Sequence, residues 1–196
     1  MIYYPNIKAL FFASPSTGSR SLNLFLKRVN GDSPTTTGYN NTLDIPAGAQ
    51  YDTVIVSVAN PYTRAFDRWK RRGEYLTKNN RAGEIMPFAD FIKDGTYTNL
   101  QPVIASVSQG LAEANVNANV IIRLEYIKSD VKLIPGVDLE KNKTHRSAFA
   151  THIAADGVVS RASEWKSNYT QELADIVYAA LEKDFTAYNY SKDSWK

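Results

Sequence analysis

Twice in this chain a short apolar run stops at polar turn residues and a helical periodicity begins at once. Ile7 to Ser14 reads IKALFFAS and lies between Pro5 and Pro15. A short apolar and aromatic run bounded by prolines predicts a buried strand. Beyond Thr17-Gly18-Ser19, the residues Leu22, Phe25, Leu26 and Val29 recur at i, i+3, i+4 and i+7, which is one face of a helix. Asp52 to Ala59 reads DTVIVSVA and is rich in β-branched residues, a second strand. Asn60-Pro61 ends it and opens a helix, since Asn caps and Pro suits a first helical position that needs no N–H donor. Tyr62, Ala65, Phe66 and Trp69 form the apolar face of that helix. Val120 to Tyr126, VIIRLEY, predicts a third strand.

Strands separated by helices predict an α/β domain with a mostly parallel central sheet flanked by helices. The runs at Ile7–Ser14, Asp52–Ala59 and Val120–Tyr126 are expected parallel in one sheet with helices on both faces. Pro87 to Lys93, Leu100 to Leu111 and Ile127 to Leu133 read as further helical pieces, and Asn30 to Gln50 reads as loop. Pro135 to Trp165 is polar and shows no clear period. Thr170 caps a strong helix whose face is Leu173, Ile176, Val177, Ala180, Leu181 and Phe185. At 196 residues with 43% hydrophobic content the chain has the size of one domain, and residues 1–196 are read as such.

Composition excludes several chemistries. There is no cysteine, so thiol catalysis, disulfides and cysteine-zinc sites are out. Two histidines, His145 and His152, cannot build a three-histidine metal centre, and no metal is expected. Met1-Ile2-Tyr3-Tyr4-Pro5-Asn6 lacks the pattern of a secretory signal, and no apolar run approaches the ~20 residues that span a bilayer. A soluble, cytoplasmic protein without a membrane partner is the expectation. The formal charge of +3 does not by itself call for nucleic acid.

In open parallel sheets ligands bind beyond the carboxyl ends of the strands, which directs attention to Ser14-Pro15 and Ala59-Asn60. At the first, Ser14-Pro15-Ser16-Thr17-Gly18-Ser19-Arg20-Ser21 is a strand-to-helix turn. Its glycine permits close backbone approach, and its hydroxyls and the N–H groups of the new helix suit phosphate oxygens. The spacing is not that of a Walker A loop, and the same residues would also serve a capped turn without a ligand. At the second, five of the nine residues Arg64–Arg72 are basic, and Arg64, Arg68, Arg71 and Arg72 share one stripe opposite the apolar face. That stripe reads as an anion-binding face or as a solvated basic one. No aromatic residue interleaves it, which argues against nucleic acid.

Together these segments resemble the sulfotransferase superfamily, in particular the carbohydrate sulfotransferases. Those enzymes carry Pro-Lys/Arg-Thr-Gly-Ser-x-Ser after a first strand and Arg-Asn-Pro-Tyr-x-Arg-x-x-Ser after a second. The strings here are Pro15-Ser16-Thr17-Gly18-Ser19-Arg20-Ser21 and Ala59-Asn60-Pro61-Tyr62-Thr63-Arg64-Ala65-Phe66-Asp67. Asn142-Lys143-Thr144-His145, Tyr169-Thr170-Gln171-Glu172-Leu173, Asp184-Phe185 and Tyr188-Asn189-Tyr190 extend the likeness over nearly the whole chain. The resemblance implies a P-loop-like three-layer sandwich. It also implies a donor, PAPS (3′-phosphoadenosine 5′-phosphosulfate), whose 5′-phosphosulfate sits at Ser16, Thr17, Gly18, Ser19, Arg20 and Ser21. The 3′-phosphate would fall at Asn60, Arg64 and Asp67.

The chain departs from the family pattern at four places. Ser16 stands where the first motif has a base, Ala59 where the second begins with Arg, and Asp67 where it ends in Ser. The stretch Tyr39-Asn40-Asn41-Thr42 holds no histidine where the family often has one. Arg20, one helical turn from Ser16, is the expected replacement cation, and His145 the candidate base. The expected function is transfer of a sulfuryl group from PAPS to a hydroxyl acceptor such as a carbohydrate. The alternatives are a catalytically inactive binding protein of the same fold and a phosphoester binder with another donor.

Overall fold

The computed structural model describes residues 1–31, 35–36, 44–95, 106–151 and 164–196. His152, Tyr39-Asn40-Asn41-Thr42 and the first part of the expected helix at Leu100 to Leu111 lie outside them. The chain divides into two compact units, one from Met1–Val58 with Gly110–Ser160, the other from Ala59–Gln109 with Arg161–Lys196.

The first unit carries the sheet. Its strands are β1 (Ile2–Tyr4), β2 (Ala9–Phe12), β3 (Thr35–Thr36), β4 (Thr53–Val58) and β5 (Val120–Arg123), in the order β3-β1-β2-β4-β5. The three expected strands are neighbours and parallel: Phe12 pairs with Val56, and Val58 with Arg123. The sheet is mixed, because β1 runs antiparallel to both β2 and β3. Pro5–Ile7 forms a short 3-10 turn and Lys8 takes a left-handed φ of 45°, which folds β1 back on β2 so that Tyr4 faces Ala9. Every residue of β2 and β4 is buried, as in strands covered on both faces.

Helix α1 (Ser19–Val29) follows β2 and buries Leu22, Phe25 and Leu26 against Ile2, Tyr4, Phe11 and Ile55. The third expected strand is shorter than its apolar run. It leaves the sheet after Arg123 into a 3-10 turn at Leu124–Tyr126. A short helix (Ile127–Asp130) and a further 3-10 turn (Val131–Leu133) come next, where one helical piece was expected. Within the polar stretch lies a helix that periodicity alone did not single out, Lys143–Phe149. Asn142 caps it by accepting from the His145 N–H at 3.1 Å.

The second unit is helical. Helix α2 (Pro61–Lys78) starts at the expected cap: Asn60 Oδ1 accepts from the Tyr62 N–H at 3.0 Å. Helix α3 (Phe88–Lys93) and the C-terminal helix (Gln171–Ala187) pack with it around an aromatic core of Tyr62, Phe66, Phe88, Trp165, Tyr169 and Phe185. Tyr62 contacts Tyr169 and Phe185 edge-on at 5.1 and 4.9 Å between ring centres. Val107–Glu113 adds one more short helix. No helix among the described residues is long and apolar enough to cross a membrane.

Candidate functional site

The turn after β2 has an uncommon backbone. Ser16 has a φ of 59° and Gly18 a φ of 71°. Both angles are left-handed, a conformation that glycine takes freely and serine takes at a cost. Gly18 occupies the cap position of α1, and no side chain caps the helix. A left-handed residue joined to a right-handed helical start turns successive N–H groups to one side, the backbone geometry of an anion nest. The first N–H groups of a helix also have no acceptor four residues behind them.

Thr17 fixes this turn from below. Its Oγ1 donates to the Ser14 carbonyl at 2.7 Å and lies 2.7 Å from the Ser57 Oγ of β4. A threonine hydroxyl has one proton, so the Ser57 hydroxyl is the donor in the second bond. Ser14, Thr17 and Ser57 are each 1% exposed. The Thr17 side chain is therefore committed to holding the turn. Ser21 is buried, Ser16, Gly18 and Ser19 are half-buried, and Arg20 is exposed on the first turn of α1.

The start of α2 is built differently from the sequence expectation of one exposed basic stripe. Asn60 is engaged on both sides, capping α2 and donating from Nδ2 to the Ser194 Oγ at 2.8 Å. Arg64 is buried, and its Nη1 donates to Asp184 Oδ2 at 2.8 Å. Asp184, on the C-terminal helix, accepts from the Ser106 hydroxyl, the Val107 N–H, and the hydroxyl and N–H of Ser108, all within 2.9 Å. Arg68 is buried one turn further on. Burial, and then the neighbouring Arg64 charge, push the Arg68 guanidinium down to about 10. Asp67 accepts from Arg71 Nε at 2.6 Å, an i, i+4 pair. Of the expected stripe, only Arg71 is exposed; Arg72 is half-buried.

His145 is buried at the start of its helix. Its Nδ1 accepts from the Asp138 N–H at 3.1 Å, and its Nε2 lies 3.2 Å from Asn142 Nδ2. The Asn142 amide nitrogen is a donor, so both ring nitrogens of His145 face N–H groups.

Five residues were missed in the sequence. Ser57 is a polar residue inside an apolar strand, which was a usable signal. Asp184 lies three residues beyond Leu181 on the core face of its helix, an acid where apolar residues recur. Arg123, Tyr126 and Asp130 were hidden in a run read as strand and helix. Among the described residues no group of three or more histidine or acidic residues is placed to hold a metal ion. Comparison of the chain with known protein families, with curated proteins and with solved structures finds no match in any of the three.

Proposed function

We propose that the chain binds a phosphosulfate nucleotide of the PAPS type at the β2–α1 turn and transfers its sulfuryl group to a hydroxyl acceptor, a carbohydrate being the favoured class. The observation that carries this is the pair of left-handed residues, Ser16 and Gly18, at the carboxyl end of a parallel strand and at the uncapped start of α1. The P-loop-like likeness of the fold belongs to the same proposal. Sulfuryl transfer forms a bond from the acceptor oxygen to sulfur, breaks the bond from sulfur to the bridging phosphate oxygen, and passes the hydroxyl proton to a base. The desulfated nucleotide, PAP, leaves. The chain's own part is to orient the phosphates on backbone N–H groups and to place the Arg20 cation near the developing charge. His145 remains the candidate base, its ring buried with Nδ1 accepting from the Asp138 N–H.

The test is transfer of labelled sulfate from PAPS to a panel of saccharide hydroxyls, with Arg20→Ala beside wild type. Label in the acceptor, reduced in the variant, supports the proposal. A second reading, a binding protein without turnover, is favoured by one observation: Arg64 is held by Asp184. Retained PAP binding with no label in any acceptor would select it.

A further inference from the structure

A polar pair lies in the apolar core beneath α1. The Tyr4 hydroxyl of β1 donates to Asn23 Oδ1 of α1 at 2.5 Å. Tyr4 is fully buried and Asn23 is 4% exposed. Asn23 stands among Leu22, Phe25 and Leu26 on the buried side of the helix. An apolar side chain there would hide more apolar surface and would desolvate no amide. The amide is kept against that cost, as are the buried polar residues that fix the register of packed helices.

A second pair grips the far end of α1. Asn6, in the 3-10 turn between β1 and β2, donates from its N–H to Asn30 Oδ1 at 2.8 Å and from Nδ2 to the Asn30 carbonyl at 2.7 Å. Asn30 is the C-terminal cap of α1 and is 1% exposed. Both pairs tie α1 to the β1–β2 hairpin, whose own place is set by the pairing of Ile2 with Phe11 and of Tyr4 with Ala9. Apolar burial is non-directional and tolerates small slides and rotations of a helix. A hydrogen bond does not, because it weakens steeply off its line. Asn23 lies little more than one turn beyond Gly18, about 8 Å along the axis at about 1.5 Å per residue. The first N–H groups of α1 are thus aimed by a rod pinned close behind them and again at its far end.

We infer that Tyr4 and Asn23, with Asn6 and Asn30 behind them, are positioning residues for the anion site at the start of α1, an inference that rests on the donor reading above. They set the axial place of the helix, and through it the aim of the N–H groups at the β2–α1 turn. They act through the helix and not on the ligand.

The test compares wild type, Tyr4→Phe and the double variant Tyr4→Phe/Asn23→Leu by urea unfolding and by calorimetric titration with PAP at one ionic strength. Tyr4→Phe leaves Asn23 Oδ1 buried without that donor and should unfold at lower urea. Replacing both partners by apolar groups of similar size restores stability where the shapes match. The double variant should then unfold with wild type yet bind PAP about tenfold more weakly, the equivalent of one charge-assisted hydrogen bond. Wild-type affinity at wild-type stability would overturn the inference, because the pair would then serve the core alone while the donor reading stands. Asn6→Ala decides the matter if the double variant is unstable. Asn6 is exposed, and the change removes only the bond to the Asn30 carbonyl. It should weaken PAP about two- to tenfold, and unchanged affinity would overturn the inference. If wild type does not bind PAP, the donor reading itself falls and this inference falls with it.

Discussion

The Oγ1 of Thr17 and the Oγ of Ser57 lie 2.7 Å apart, so the turn after β2 is bolted to the next parallel strand by a buried hydroxyl pair. Thr17→Val keeps the shape and removes the hydroxyl. It leaves the Ser14 carbonyl and the Ser57 hydroxyl buried without that partner. The expected cost is about 1–3 kcal/mol in urea unfolding, together with weaker PAP binding. A variant as stable as wild type would show that this bond does not hold the turn.

Gly18 has a φ of 71°, where any Cβ is strained. Gly18→Ala should lower stability by about 1–2 kcal/mol, and Gly18→Val should also reduce PAP affinity by distorting the nest. Unfolding midpoints and titrations of the two variants check this. Wild-type affinity in Gly18→Val would place the anion elsewhere.

Arg64 was expected from the sequence to meet a phosphate. Its burial against Asp184 assigns it a structural consequence instead. Removing one partner of a buried pair costs about 3–5 kcal/mol, so Arg64→Ala should unfold at markedly lower urea. Full stability with a selective loss of PAP affinity would contradict this and return Arg64 to the donor site.

Asp130 gives the pH dependence. Burial alone would raise its carboxyl, but the hydrogen bonds and charge of Arg123 outweigh that and hold it below the usual aspartate value. A folded-state value below the unfolded one means stability that is present above about pH 4 and is lost as the pH falls further. Asp130→Asn should therefore lower the unfolding midpoint at pH 7, and the gap from wild type should close below pH 4. A gap that persists unchanged in acid would mean that the carboxylate charge is not what stabilises the turn.

The parallel core of the fold was legible because β2, β4 and β5 are continuous apolar runs, and α1, α2 and the C-terminal helix carry clean apolar faces with Asn60 and Thr170 as caps. Strand β1 was not legible, because three residues before a proline carry almost no periodicity. Its pairing depends on the left-handed Lys8, which no pattern announces. Nor was the burial of Arg64 and Arg68. A helix wheel shows which residues share a stripe, but the partner that lets a cation leave water, Asp184, is 120 residues away from Arg64. The turn at Ser16 to Ser21 was legible as a motif, while its anchoring by Ser57 needed the register of β2 on β4.

Arg20 is exposed, so its loss should leave stability unchanged while it removes a charge from the proposed donor site. Arg20→Ala is expected to weaken PAP about tenfold or more and to flatten the salt dependence of binding. The most direct measurement is calorimetric titration of wild type and Arg20→Ala with PAP at fixed ionic strength. Saturable binding at one site per chain, weakened in the variant, is the predicted result. No detectable binding by the folded wild-type protein would contradict the account.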